Sequence, residues 1–337
     1  MRRVVRSAAL ASLALAAPVA ALHAQFTVPP SAQCASASVT LQDGCQKTVD
    51  LFNFLAPQLA TAVAGGNAVL GQGGALGGLG HFTIGVQTNV VKGALPKFDQ
   101  FQVSTTGAQQ TDFNTSTIPV PMPSAILGIG LFGGIPLGIT RVGGVDALVS
   151  GIYIPSISSN NISLKPKNSF QIGYGARLGI VQETPLTPAV SASWMERDLP
   201  KTSISGQDNN GDTLTVHNLS VKTSSWRLVA SKNIFILGLA AGVGEDHYSM
   251  STDVNVGLNT TTCPGAVGAC SGTVASPKLS ITRANYFGDL SLNFAIFRTV
   301  FEVGQVAGKA ISTFNTFNGK VAGDSRLYGS VGFLFKI

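Results

Sequence analysis

Beyond the first 24 residues the chain holds three histidines, His81, His217 and His247. A histidine beside a serine or an acid is the smallest arrangement that can activate a nucleophile for hydrolysis. Glu245-Asp246-His247-Tyr248 is the densest such cluster. Its position near the end of an alternating segment reads more simply as a polar rim at a lipid–water boundary, where acids and histidines are ordinary. Gly304-x-x-x-Gly308-Lys309-Ala310 is one residue short of a phosphate-binding loop and lacks its Ser/Thr. The glycines of 65–80 follow a helical pattern instead of opening a helix after a strand, so they do not make a dinucleotide fingerprint. No catalytic residue, cofactor or metal site is assigned, and a non-enzymatic protein is expected.

The four cysteines form two local pairs, Cys34 with Cys45 and Cys263 with Cys270. Neither pair has C-x₂-C spacing or histidine neighbours, so disulfides made in an oxidising compartment are expected over zinc.

More telling are charges that fall between apolar neighbours: Arg177, Arg197, Arg227, Arg283 and Arg298, with Asp146, Asp289 and Glu302. Two readings stay open. They could form an interior salt-bridge network, or line a polar pathway whose arginine excess favours an anionic group such as a carboxylate.

The segments that carry these charges alternate with a period of two, the signature of a strand with two unlike faces. Phe170, Ile172, Tyr174, Ala176, Leu178 and Ile180 interleave with Gln171, Gly173, Gly175, Arg177 and Gly179. Phe297, Thr299, Phe301 and Val303 interleave with Arg298 and Glu302. The last segment repeats the pattern, with Leu327, Val331, Phe333, Phe335 and Ile337 opposite Tyr328, Ser330, Gly332, Leu334 and Lys336. Ten strands are read at about 80–92, 123–142, 144–157, 168–183, 187–205, 212–231, 234–254, 276–294, 297–310 and 324–337. Residues 98–118 leave room for another hairpin, which would make twelve. Gly133-Gly134 marks a bend or break, and 212–224 loses its alternation as at a bulge.

Short turns near 142–144, 183–187, 232–233 and 295–296 alternate with long polar loops at 93–122, 158–167, 206–211, 255–276 and 311–325. That asymmetry is the one expected of bacterial outer-membrane barrels, with short periplasmic and long external connections.

Composition points the same way. Only 11% of residues are charged, against roughly 25% in ordinary soluble domains. Mean hydropathy is +0.30, yet no apolar run after the N-terminus reaches the ~18 residues of a spanning helix. A chain this apolar, without spanning helices, is left with the closed barrel as a way to satisfy its backbone in lipid. Residues 1–24, basic at Arg2, Arg3 and Arg6 and then apolar to Leu22, read as a Sec signal peptide cleaved after Ala24. Its loss lowers the formal charge from +6 to +3, so the basic balance implies no nucleic-acid partner.

Residues 25–79 stand apart from the barrel of 80–337. They hold a disulfide-pinned polar stretch, then a helical pattern over 46–64 with Val49, Phe52, Leu55, Leu59 and Val63 on one face, then a glycine-rich tether. Pro57 is expected to kink this helix or start a second one. The segment is read as a plug or latch in or under the barrel, with a free periplasmic tail as the alternative. A ten-stranded lumen is nearly filled by its own side chains. A plug inside it therefore implies twelve or more strands; otherwise the helix sits at the periplasmic mouth.

The apolar terminal strand resembles the closing strand that outer-membrane barrels present to their insertion machinery, although Ile337 replaces the usual Phe. The apolar helix and glycine hinge ahead of the first strand loosely resemble the hatch of the FadL/TodX-type hydrophobic-compound transporters. The resemblance is one of architecture. The Asn-Pro-Ala signature of that family is absent, and no ligand residue carries over. What it implies is a Gram-negative outer-membrane channel or passive transporter for small hydrophobic compounds, and the arginine excess extends that expectation to anionic ones. The alternative is a structural or surface-interaction barrel with a closed lumen, and a less favoured one is an outer-membrane hydrolase. Expected partners are outer-membrane lipid, the barrel-assembly machinery and a small-molecule ligand.

Overall fold

The computed structural model describes residues 29–97, 102–158, 162–208, 210–259, 263 and 270–336. The expected signal peptide, most of the loop 255–276 and Ile337 lie outside the described residues. Ten antiparallel strands close into one barrel: β1 (Phe82–Pro96), β2 (Thr115–Phe132), β3 (Gly144–Tyr153), β4 (Phe170–Val181), β5 (Ala189–Asp198), β6 (Thr213–Ile234), β7 (Leu237–Gly257), β8 (Lys278–Phe294), β9 (Phe297–Val306) and β10 (Arg326–Lys336). Each strand pairs with its neighbours in sequence. β10 pairs with β1 through nine positions, from Thr83↔Lys336 to Val91↔Tyr328, which closes the ring.

Alternation sorts the faces as a lipid-exposed barrel requires. Along β7, Leu237, Leu239 and Val243 are exposed, while Gly238, Ala240 and Gly242 point inward. Trp194, Trp226, Tyr174 and Tyr286 stand outward towards the long-loop side, and Phe132, Phe235, Phe294 and Phe297 outward at the short-turn end. These two aromatic girdles bracket an apolar belt. Above the upper girdle β6 and β7 run on together to Thr213 and Gly257. Small strands at Ile162–Pro166, Thr202–Gln207 and Ser271–Ala275 widen this extension into a turret.

Local chemistry explains the departures from the expected strands. Gly134, at φ 80°, ends β2 early, and Ile135–Leu137 pairs with Thr140–Val142 in a separate hairpin inside the short-turn connection. The turn expected at 232–233 lies at Phe235-Ile236, with Phe235 at φ 55°. The bulge within 212–224 falls between His217 and Ser220, where Asn218 takes φ 52°. No further hairpin occupies the described part of 98–118. On β2, Gly130 N–H donates to His81 O on the β1 side. Odd-numbered amides therefore face away from β1, and prolines at 119, 121 and 123 remove three successive donors from that edge. Pairing with β3 accordingly stops at Ser124↔Ile152.

The N-terminal segment lies inside this wall. α1 (Ala32–Ala35) is bridged to α2 (Val39–Ala64) by the Cys34–Cys45 disulfide; Cys263 and Cys270 form the second. α2 begins seven residues earlier than its periodicity suggested and runs through Pro57 without a break.

Candidate functional site: the plugged lumen

The 26 residues of α2, about 39 Å of helix, start among the long loops. Asp43 accepts the amides of Ser104 and Gln109, and Lys47 pairs with Asp43 at 2.6 Å. Asp50 accepts both the amide and side-chain N–H of Asn315, each at 2.8 Å. Burial pushes the Asp50 carboxyl above the usual carboxylate range, against the pull of those bonds. Phe54 stacks on Phe317 with ring centroids 4.0 Å apart, and Phe113 packs on the same ring. Leu51, Phe52, Leu55 and Leu59 meet Ile204, Leu214, Val216 and Leu219 of the turret. An apolar core thus fills the outer half.

α2 ends level with the upper aromatic girdle, where Arg227 follows the outward Trp226. From there residues 65–79 descend through the belt as an irregular strap, and the inward charges close on its backbone. Arg197 donates to Ala64 O. Arg227 donates to Gly65 O (2.9 Å) and Gly66 O (3.1 Å) and pairs with Asp246 at 2.6 Å. Glu302 accepts Asn67 N–H at 2.7 Å. Asp289 accepts Gly71 N–H and the Asn67 side chain, each at 2.8 Å. Arg298 donates to Gly71 O at 3.0 Å. Asp146 accepts Leu76 N–H with both oxygens and pairs with Arg177 at 2.9 Å. Arg283 differs: it holds Gly323 O and Asp324 O of the 307–325 loop at the outer mouth.

Seven of the eight inward charges therefore act on the plug, Arg177 and Asp146 as one ion pair, and the eighth pins a loop over it. An irregular backbone has no ladder of its own, so beyond the turn from Gln72 N–H to Val69 O its buried amides and carbonyls draw on side-chain partners. Together these groups form a socket for the strap, with Arg177–Asp146 and Arg227–Asp246 as buried ion pairs within it. The dilemma over strand number resolves. Ten strands do enclose a plug, because the part crossing the belt is a glycine-rich strap and the helix sits above it. A Cβ on Gly66 would meet the Glu302 carboxyl at 2.4 Å, and one on Gly73 the backbone of Ser231 at 2.6 Å.

Uncharged partners escaped sequence reasoning. Asn285 donates to Gly65 O and to Asp246, Tyr328 donates to Asn285, Ser231 receives Gly73 N–H, and Ser330 donates to Glu302. Their only signal was inward parity.

Around the hydrolase candidates no serine, histidine and carboxylate form one hydrogen-bonded chain among the described residues. Alternation splits Glu245-Asp246-His247-Tyr248: Asp246 and Tyr248 are buried inside, and His247 faces outward between Thr282 (3.0 Å) and Ser280 (3.4 Å). His217 contacts Ser203 at 3.5 Å, while the carboxylate opposite it, Asp253, is taken by Ser276 and Asn218. His81 sits at the short-turn end, where its amide donates to Gly78 O. Among the described residues no cluster of metal-ligating side chains occurs.

The class defined is an antiparallel barrel of the outer-membrane kind, ten-stranded and plugged by its own N-terminal segment. No protein-family model matches the sequence, and no curated protein matches it. Among solved structures the chain is similar to the attachment invasion locus protein Ail of Yersinia pestis, in complex with the heparin analogue sucrose octasulfate (8% identity, 77% of this chain, 99% of that one, TM-score 0.28). It is also similar to the translocator domain of the autotransporter NalP from Neisseria meningitidis (12%, 90%, 100%, 0.38) and to the Pseudomonas putida toluene transporter TodX (10%, 82%, 92%, 0.29). At such scores the likenesses assign the chain to none of these; the barrel rests on its own strand ladder.

Proposed function

We propose that this chain is a Gram-negative outer-membrane barrel whose lumen is closed at rest and whose working surface is the external turret. In this reading it is exported by the leader 1–24 and inserted through its C-terminal strand; it is not an enzyme. The observation that carries it is the strap: six of the eight inward charges that could have lined a pathway hold backbone atoms of residues 64–76 instead. The full chain, refolded into planar bilayers, is expected to give no steady conductance, and a chain lacking residues 66–78 to conduct. Steady conductance from the full chain would overturn the closed reading.

A second reading keeps transport, by displacement of the strap. It is favoured by a polar cavity open at the short-turn mouth, bounded by Gly71–Ala75, Arg298 and Lys336, where cations could receive a small anionic or carboxylate solute. Uptake of a carboxylate solute that is abolished by Arg298→Gln with the barrel intact would select it.

A further inference from the structure

The two ends of the plug lie on opposite sides of the apolar belt. At its lower end Gly78 packs against Gly133, and the carbonyl of His81, next in line for β1, accepts Gly130 N–H beside the short-turn connection. At its upper end Ser276 N–H, in the long loop after β7, donates to Gln33. Pro29 shares a polar cleft with Pro277 and Ser312, both in long loops. Between these points the backbone of 39–79 runs through the lumen from one mouth to the other.

We propose that the barrel carries its own N-terminal segment across the membrane and displays the chain at Pro29 on the cell surface. This rests on the outer-membrane reading above, in which long loops face outward, and adds to it a translocation activity. The order of assembly follows from size. Within the belt the lumen holds one extended strap, and a ten-stranded lumen has little further room. A helix clipped by Cys34–Cys45 to a second helix does not fit that bore, so the segment crosses before it folds and is clipped or before β10 pairs with β1. An interaction surface results that contains the disulfide loop, with Gln33, Ala35, Ser36 and Val39 exposed on it.

The test uses the full chain in cells. A short epitope between Pro29 and Pro30 is compared with the same epitope at Gly138, the tip of the short-turn hairpin. Antibody is expected to reach the first on intact cells and the second only after permeabilisation. If both need permeabilisation while the barrel remains heat-modifiable on gels, the proposal is overturned and the outer-membrane reading survives. If the Gly138 epitope is reached on intact cells, the assumed orientation fails and the proposed function with it. Should the insertion prevent assembly, Ser36→Lys replaces it. External trypsin is then expected to cut after position 36 on intact cells, seen by mass spectrometry after reduction; an uncut chain that is cut once cells are opened contradicts the proposal.

Discussion

The plug is held in two different ways along its length. Above the upper girdle α2 satisfies its own backbone and is fixed by apolar packing, with Phe54 stacked on Phe317 and a leucine face against the turret. Within the belt the strap has no internal ladder: charges on the wall hold its backbone, and Ala68, Val69 and Leu70 pack against Ile126, Leu148, Met195, Val300 and Leu334. Regular structure lets a segment be gripped through its side chains alone; irregular structure has to be gripped through its backbone as well. Inward charge in this barrel is therefore a consequence of putting a strap, not a helix, at membrane depth.

Substitutions should separate the two modes. Arg227→Ala leaves Asp246 buried without its cation and two strap carbonyls with one donor fewer, a loss of about 3–5 kcal/mol by analogy with other buried pairs. Guanidinium unfolding of the refolded barrel measures it, and a loss below 1 kcal/mol would mean that the socket is not structural. Phe54→Ala should cost about 3 kcal/mol but act on the outer half alone. Hydrogen exchange should quicken in 307–325 and leave the strap unchanged. Gly66→Ala drives a methyl into the Glu302 carboxyl and should cost about 1–3 kcal/mol, read from the shift in the unfolding midpoint.

The smallest effect is one of pH. Since burial raises the Asp50 carboxyl, the folded state binds its proton more tightly than the unfolded chain does. Its contribution is favourable at low pH and is lost as pH rises from the ordinary carboxylate range through the raised one. Asp50→Asn should flatten that slope, as followed by thermal melts of the turret.

Legibility in the sequence followed the physics of each part. Strand number, direction and faces were readable because lipid on one side and a lumen on the other impose a strict period of two. The turn at Phe235-Ile236 was not, since the usual turn chemistry sits at Lys232-Asn233, while the actual corner carries girdle residues. Both cysteine pairs were readable from spacing. The socket was only half readable. Arginines and acids marked the inward face, but their partners are backbone atoms of a glycine tether, which no residue type announces. Asn67 and Asn285 carry no charge to draw attention to them.

Amide exchange of the strap in the refolded full chain bears most directly on the central claim. Asn67, Gly71, Gly73 and Leu76 each donate their N–H to a wall side chain. They should exchange as slowly as the barrel strands and quicken together in Arg227→Ala. Fast exchange at these four positions, with β1–β10 still protected, would show a free tether and contradict the account.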